Sequence, residues 1–290
     1  MTDYNSTKKS LVELLELEED KIFDFILEDT NVVSFLDTFN IKDEKLLDKY
    51  VELVSLHSTT CIDNCQSIEE LGLINLQDAV TKDTPLKNYL NNKDIKVNIK
   101  DKKIIYKENH LDISTQIEGY CLSKEDDYKN RVIHKFYDDF QINGFISHTN
   151  VLKYEGYTRD RPEILFNLAQ FLKDEKIEQD WIKDKNIKHY IIKYKLPLNY
   201  YRYFTFEAKY DDSDYGITKY NLEYLPKKEI EVRVKKWVIQ KAIYILRYGV
   251  YELYSYVHPK VKIETKDIME IMTELEYITK YNIKSKDKTL

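Results

Sequence analysis

Apolar side chains recur at helical spacing from the start of the chain. Residues 8–29 carry Leu and Ile or Phe every three to four positions, with acids between them. The pattern continues over 31–52 through Phe35, Leu36, Leu46, Leu47 and Tyr50. A helical N-terminal unit is therefore predicted over 1–48. No Pro or Gly linker follows it, so it is expected to pack on the rest of the protein.

The period then changes. Val51 to Thr60 is a short β-prone run ending in small hydroxyl residues. Asp63 or Asn64 can cap the helix CQSIEELG, which stops at Gly72. Two short helices are predicted over 75–81 and 85–92, the second opened by Pro85, and a hairpin over 95–107 turning at Lys100 to Lys102. Ser123 starts a helix running to 140, and Gly144 to His148 reads as a short strand. Arg161 to Leu172 predicts a helix with Pro162 in its first turn and Ile164, Leu165, Leu168, Phe171 and Leu172 on one stripe. Strands are expected at His189 to Leu198, Phe204 to Tyr210, Glu229 to Val234, which alternates strictly, and Trp237 to Tyr248. After Pro259 a helix is expected, with Ile268, Ile271, Met272, Leu275 and Ile278 on one face, and a disordered tail KSKDKTL.

The 290 residues are 42% hydrophobic and 33% charged, enough apolar content for a core under a solvated surface. The formal net charge of -6 argues against a protein built chiefly to grip a phosphate backbone. With 6 glycines and 5 prolines, and neither GxGxxG nor GxxxxGK[ST], a Rossmann or P-loop site is not expected. The 25 tyrosines fit the codon bias of an AT-rich genome, a low-GC bacterium or its phage, better than a dedicated aromatic surface. The run Tyr244 to Tyr256 reads as a sheet face rather than a base-stacking platform. A polar start, no long apolar segment and three cysteines, Cys61, Cys65 and Cys121, favour a reducing, cytoplasmic setting without membrane contact. His57, Cys61 and Cys65 form H-x3-C-x3-C, a spacing unlike the usual paired-cysteine zinc sites, and no metal is expected.

The most informative stretch is Leu56 to Leu73, LHSTTCIDNCQSIEELGL. A strand ends in His57, Thr59 follows two places on, and the helix carries Ser67-Ile68 and closes in Gly72-Leu73. This resembles the first motif of ADP-ribosyltransferase-like folds, H-x-T followed by N-x-x-S-I and a helix ending in G-L. The asparagine before the helix, here Asn64, resembles the DarT type of nucleic-acid ADP-ribosyltransferase, with one extra residue after the histidine. The resemblance covers roughly residues 50–250 in element order.

It implies an α+β fold, with an ADP-ribosyltransferase-like split antiparallel sheet over 49–258, the helical unit 1–48 before it and a C-terminal helix and tail over 259–290. It implies that NAD is bound as a substrate by His57, Ser58, Thr59 and Asn64. A late-strand carboxylate would stabilise the charge that builds as nicotinamide leaves. Glu231 in EIEVRV is the first choice for that role, with His57 beside it at the catalytic centre, and Glu229 is the second. The middle element would come from GFISHTNVLKYEGYTRDR, which offers Ser147, His148, Tyr154, Tyr157, Arg159 and Arg161. Tyr157 could stack on nicotinamide, and Arg159 or Arg161 could pair with pyrophosphate.

Each residue also has a plainer reading when taken alone. His57 is then a satisfied strand-end histidine, Glu231 a solvent-facing strand residue, and the two arginines flank a helix start. Two functions compete. One is an enzyme that transfers ADP-ribose to a protein, nucleic-acid or small-molecule acceptor. The other is a non-catalytic phage or mobile-element protein on the same scaffold that binds a host protein complex, for instance in defence. Oligomeric state is open.

Overall fold

The computed structural model describes residues 3–119, 122–154, 156–207 and 215–283. Four helices come first: α1 (Tyr4–Leu15), α2 (Glu19–Glu28), α3 (Val32–Thr38) and α4 (Asp43–Leu47). Strand β1 (Glu52–Cys61) leads to α5 (Gln66–Leu71), α6 (Leu76–Thr81) and α7 (Pro85–Asn92). Next come β2 (Ile95–Asn98), β3 (Lys103–Tyr106), β4 (Asn109–Asp112), α8 (Lys124–Tyr137) and β5 (Asn143–Ser147). They are followed by α9 (Glu163–Leu172), α10 (Lys176–Lys183), β6 (Lys188–Pro197), α11 (Lys219–Tyr224), α12 (Lys227–Tyr248) and β7 (Leu253–Tyr256). Strand β8 (Ile268–Thr273) and α13 (Glu274–Lys280) come last. The chain is α+β, with a five-stranded sheet in the order β7-β5-β1-β6-β8 and a three-stranded antiparallel sheet β2-β3-β4. Among the described residues no helix is long and apolar enough to cross a membrane.

Two compact units interleave along the sequence. The first takes Met1–Leu56, Asn143–Thr149 and Tyr194–His258; the second takes His57–Ile142, Asn150–Lys193 and Pro259–Leu290.

In the first unit α12 is the centrepiece. Val232, Ile239, Ala242, Ile243 and Leu246 recur at helical spacing and pack on Leu11, Leu15, Ile22, Ile26, Phe35 and Leu36 of the N-terminal helices. Its polar side chains satisfy the backbone at helix ends. Buried Lys235 donates from Nζ to the carbonyls of Leu46, Leu47 and Lys49 at the C-terminal end of α4, where a cation is favoured. The Gln240 carboxamide accepts from Val32 N at 2.9 Å and donates to Thr30 O at 2.6 Å.

The strands expected at Glu229 to Val234 and Trp237 to Tyr248 are thus one 22-residue helix. Its β-branched and aromatic side chains read locally as strand, but tertiary packing overrides propensity. From Val234 onward it is buried around most of its circumference, so the polar face that advertises a helix is missing. Where a strand was expected from Phe204, a short 3-10 turn runs over Tyr203–Phe206 instead, closed by Glu207 N bonding Phe204 O. Residues 208–210 of that expectation lie outside the described residues.

The second unit has its own core. The β2-β3-β4 sheet and helices α7 to α10 bury Leu90, Ile95, Ile104, Phe136, Leu165, Leu168 and Trp181. After Pro259 the expected helix is divided: Ile268–Thr273 is β8, and only Glu274–Lys280 is helical. Thr273 sets that boundary, forming a capping box with Glu276. Pro162 is the N-cap of α9 rather than a first-turn residue. The tail KSKDKTL lies outside the described residues.

Candidate functional site

The strand and helix of the first motif fold in the expected order, but β1 runs on to Cys61, so His57 lies within the strand rather than at its end. Along its distal half, Ser58 and Thr60 are buried while His57 and Thr59 are half-buried, the alternation of a pleated strand. The Thr60 hydroxyl accepts from the buried Trp181 indole at 3.0 Å. After β1 the chain turns through Asn64 (φ 53) and Cys65 (φ 67) into α5. Of the two expected cap residues Asp63 does the work: its carboxylate accepts from Cys65 N at 3.1 Å and Ser67 N at 2.8 Å. Asn64 points elsewhere, and its Oδ1 accepts from Lys188 Nζ at 2.9 Å and the Tyr190 hydroxyl at 3.3 Å.

Gly72 ends α5 at φ 77, and a Cβ there would lie 2.1 Å from the Ile263 carbonyl oxygen. Only glycine permits that approach, which lets Leu73 and Ile263 exchange two backbone hydrogen bonds of 3.0 Å. The Gly-Leu of the motif is therefore explained by packing alone.

A polar cluster gathers on Ser58. Its Oγ lies 2.8 Å from Nε2 of His189 on β6 and 2.9 Å from Oγ1 of Thr158. Next along the chain, Arg159 grips Glu274 through two bonds, Nε to Oε2 at 3.0 Å and Nη2 to Oε1 at 2.7 Å. Glu274 opens α13, and its Oε2 is 3.9 Å from His189 Nδ1. At that distance Nδ1 makes no hydrogen bond and is left without a partner. Burial pushes the His189 imidazole down to about 4, helped by the charges of Arg159 and His57. Glu274 does not reverse this, because its charge is already paired with Arg159. His189 is therefore a neutral, buried base against a hydroxyl, while Arg159 and Glu274 stay partly exposed.

Tyr157 and Arg161, in the same segment, turn to a different place. They line a cleft of about 610 Å³ with Phe166, Asn167, Arg131 and His134. Cys61 and Cys65 are buried free thiols with sulfurs 3.0 Å apart; the hydrogen bond from Cys65 and burial push the Cys61 thiol up. Among the described residues no group of three or more His, Cys, Asp or Glu is arranged to hold a metal ion.

The residues picked from sequence thus separate. Ser58 and Arg159 meet around His189 and Glu274, with His57 beside them on β1. Tyr157 and Arg161 belong to the cleft, and Asn64 to the start of β6. Glu231 is on helix α12, not on a strand, and its carboxylate accepts from Lys235 at 2.6 Å; Glu229, also on α12, faces Arg233. His189, Thr158 and Glu274 were missed. His189 stood at the start of a correctly predicted strand, where its polarity against HYIIKYKLPL was the available signal. Glu274 was hidden inside a run read as continuous helix. No protein-family model, curated protein or solved structure matches the chain.

Proposed function

We propose that the chain is an ADP-ribosyltransferase-like protein that binds NAD at the end of β1 and releases nicotinamide, passing ADP-ribose to an acceptor. The observation that carries this reading is the joining of Ser58 to Thr158 across 100 residues of sequence. It brings the first motif together with the arginine-bearing middle segment.

The residues fit the substrate. His57 and Thr59 are half-buried and reachable, suited to a ribose hydroxyl and a carboxamide. Arg159 is partly exposed, and the Nη1 side of its guanidinium, away from the two bonds to Glu274, is suited to a phosphate oxygen. In this reading the carboxylate that faces the developing positive charge is Glu274 rather than Glu231. It is held in place by Arg159, whereas Glu231 is engaged by Lys235. Neutral His189 fixes the Ser58 hydroxyl and thereby the strand end.

Incubation with NAD and measurement of released nicotinamide tests the reading, alongside thermal unfolding with NAD. NAD should raise the melting temperature, since a ligand that binds only the native state stabilises it. Glu274→Gln should lower nicotinamide release at least a hundredfold, and Glu231→Gln should leave it within twofold. A chain that shows neither a thermal response to millimolar NAD nor nicotinamide release is not a transferase.

A further inference from the structure

The cleft beside Tyr157 is built from three kinds of group. Its aromatic faces come from Tyr157 and Phe166, with the Arg161 guanidinium 5.9 Å and 5.0 Å from the two ring centroids. Tyr157 is 57% exposed although its ring is large, and it holds the left-handed conformation at φ 53. Such strain persists only where the surroundings enforce it. Here they do: Arg161 Nη1 donates to Gly156 O at 3.0 Å, and Asp160 N donates to Tyr157 O at 3.0 Å. A Cβ on Gly156 would lie 2.4 Å from the Tyr154 ring. The segment is folded tightly so that one aromatic ring stands out.

The second kind is an amide. Asn167 on α9 is 5% exposed and lines the cleft, yet its carboxamide makes no hydrogen bond to any described residue. Its amide therefore has a donor and an acceptor to offer a guest in the cleft. The third kind is cationic. Lys135 is held by Asp139 and Glu163, and Arg161 by Glu178. Arg131 and His134, on one face of α8, stand exposed at the rim, Arg131 paired through Nη2 with Asp127 at 2.7 Å and His134 beside Asp138 at 3.3 Å.

An apolar guest would leave Asn167 unsatisfied, and a simple anion would not use the rings. A carboxamide offers a donor and an acceptor side by side, as the edge of a nucleobase requires. Aromatic faces stack on any base, and Arg131 suits a phosphate. We propose that this cleft binds a nucleoside 5′-monophosphate, either as a free nucleotide or as the AMP half of a dinucleotide. The base stacks on Tyr157, Asn167 reads its edge, and the phosphate meets Arg131. The free-nucleotide arm of this proposal stands apart from the β1 site, and the dinucleotide arm rests on NAD binding there.

Calorimetric titration of the full chain with AMP, GMP, CMP and UMP tests it. At least one should bind, and Asn167→Leu and Tyr157→Asn should each weaken it at least tenfold. Tyr157→Asn suits the left-handed backbone and removes an exposed ring, so it keeps the test open should Asn167→Leu fail to fold. If NAD and AMP exclude one another, the dinucleotide half is the occupant; if both bind together, it is the free nucleotide. The proposal is overturned if no mononucleotide binds at millimolar concentration. It is equally overturned if binding is unchanged in both variants, or if inorganic phosphate binds as tightly as AMP. NAD binding at the β1 site with all mononucleotides silent would remove the cleft alone. AMP binding without NAD binding or nicotinamide release would remove the transferase reading alone.

Discussion

The Ser58 hydroxyl sits 2.8 Å from Nε2 of His189, a ring held neutral by its surroundings. The groups that face this ring are Ser58, Thr158, Arg159, Glu274 and His57. Because Arg159 neutralises Glu274, nothing at hydrogen-bonding distance welcomes a proton on Nδ1.

That environment makes stability depend on pH. The folded-state value for His189 is about 4 against an ordinary 6.5. The unfolded chain therefore binds the proton first as pH falls. The contribution is fully present above pH ~6.5 and is lost as pH drops towards ~4. Between pH 7 and pH 5 the loss is about 2 kcal/mol. Urea unfolding at both values should show it, and His189→Gln should remove most of that difference. An unchanged pH dependence in the variant would rule His189 out as the source.

Lys235 and Glu231 form a pair of very unequal partners. Lys235→Met takes the ammonium donor away from the carbonyls of Leu46, Leu47 and Lys49, of which Leu46 O keeps the Lys49 N–H. Equilibrium unfolding should show a loss of about 3 kcal/mol. Glu231→Gln removes only a half-exposed carboxylate and should cost less than about 1 kcal/mol. Similar losses in the two variants would contradict this division of roles.

Gly72→Ala drives a methyl group into the Ile263 carbonyl and imposes a side chain at φ 77. The Leu73 bridge cannot survive that displacement. A loss of at least about 3 kcal/mol is expected in chemical denaturation. A change within error would mean that the 2.1 Å approach relaxes freely.

Asp63→Ala removes the acceptor for two backbone donors at the start of α5. About 1 kcal/mol should be lost. Asp63→Asn should recover most of it, since an amide oxygen caps nearly as well. Hydrogen exchange at Ser67 N is the local readout, accelerating in the alanine variant and not in the asparagine one.

Much of the second unit was legible from sequence. The β1 run, the helix closing at Gly72, the helix opened by Pro85, the β2-β3 hairpin and α9 all stand where their caps and periods predicted. Each announces itself by a local signal: a hydroxyl or acidic cap, a proline at a helix start, a single alternating face. Helix α12 announced nothing, because Val232, Trp237, Ile239, Ile243 and Ile245 favour strands locally and surround the helix with apolar surface. The division between β8 and α13 was equally hidden, since Ile268 to Ile278 can be read at helical spacing throughout. At the candidate site, sequence supplied Ser58 and Arg159 but not their partners. His189 and Glu274 lie 131 and 115 residues from them, and no local pattern encodes such a meeting.

The chain passes between its two units at 56/57, 142/143, 149/150, 193/194 and 258/259. No contiguous fragment therefore contains one unit whole without pieces of the other. During synthesis the first unit waits for His258, and the second waits for residues beyond it. A single cut in the gene leaves at least one unit divided between the two products, so this protein cannot be dissected into separately folding halves that way.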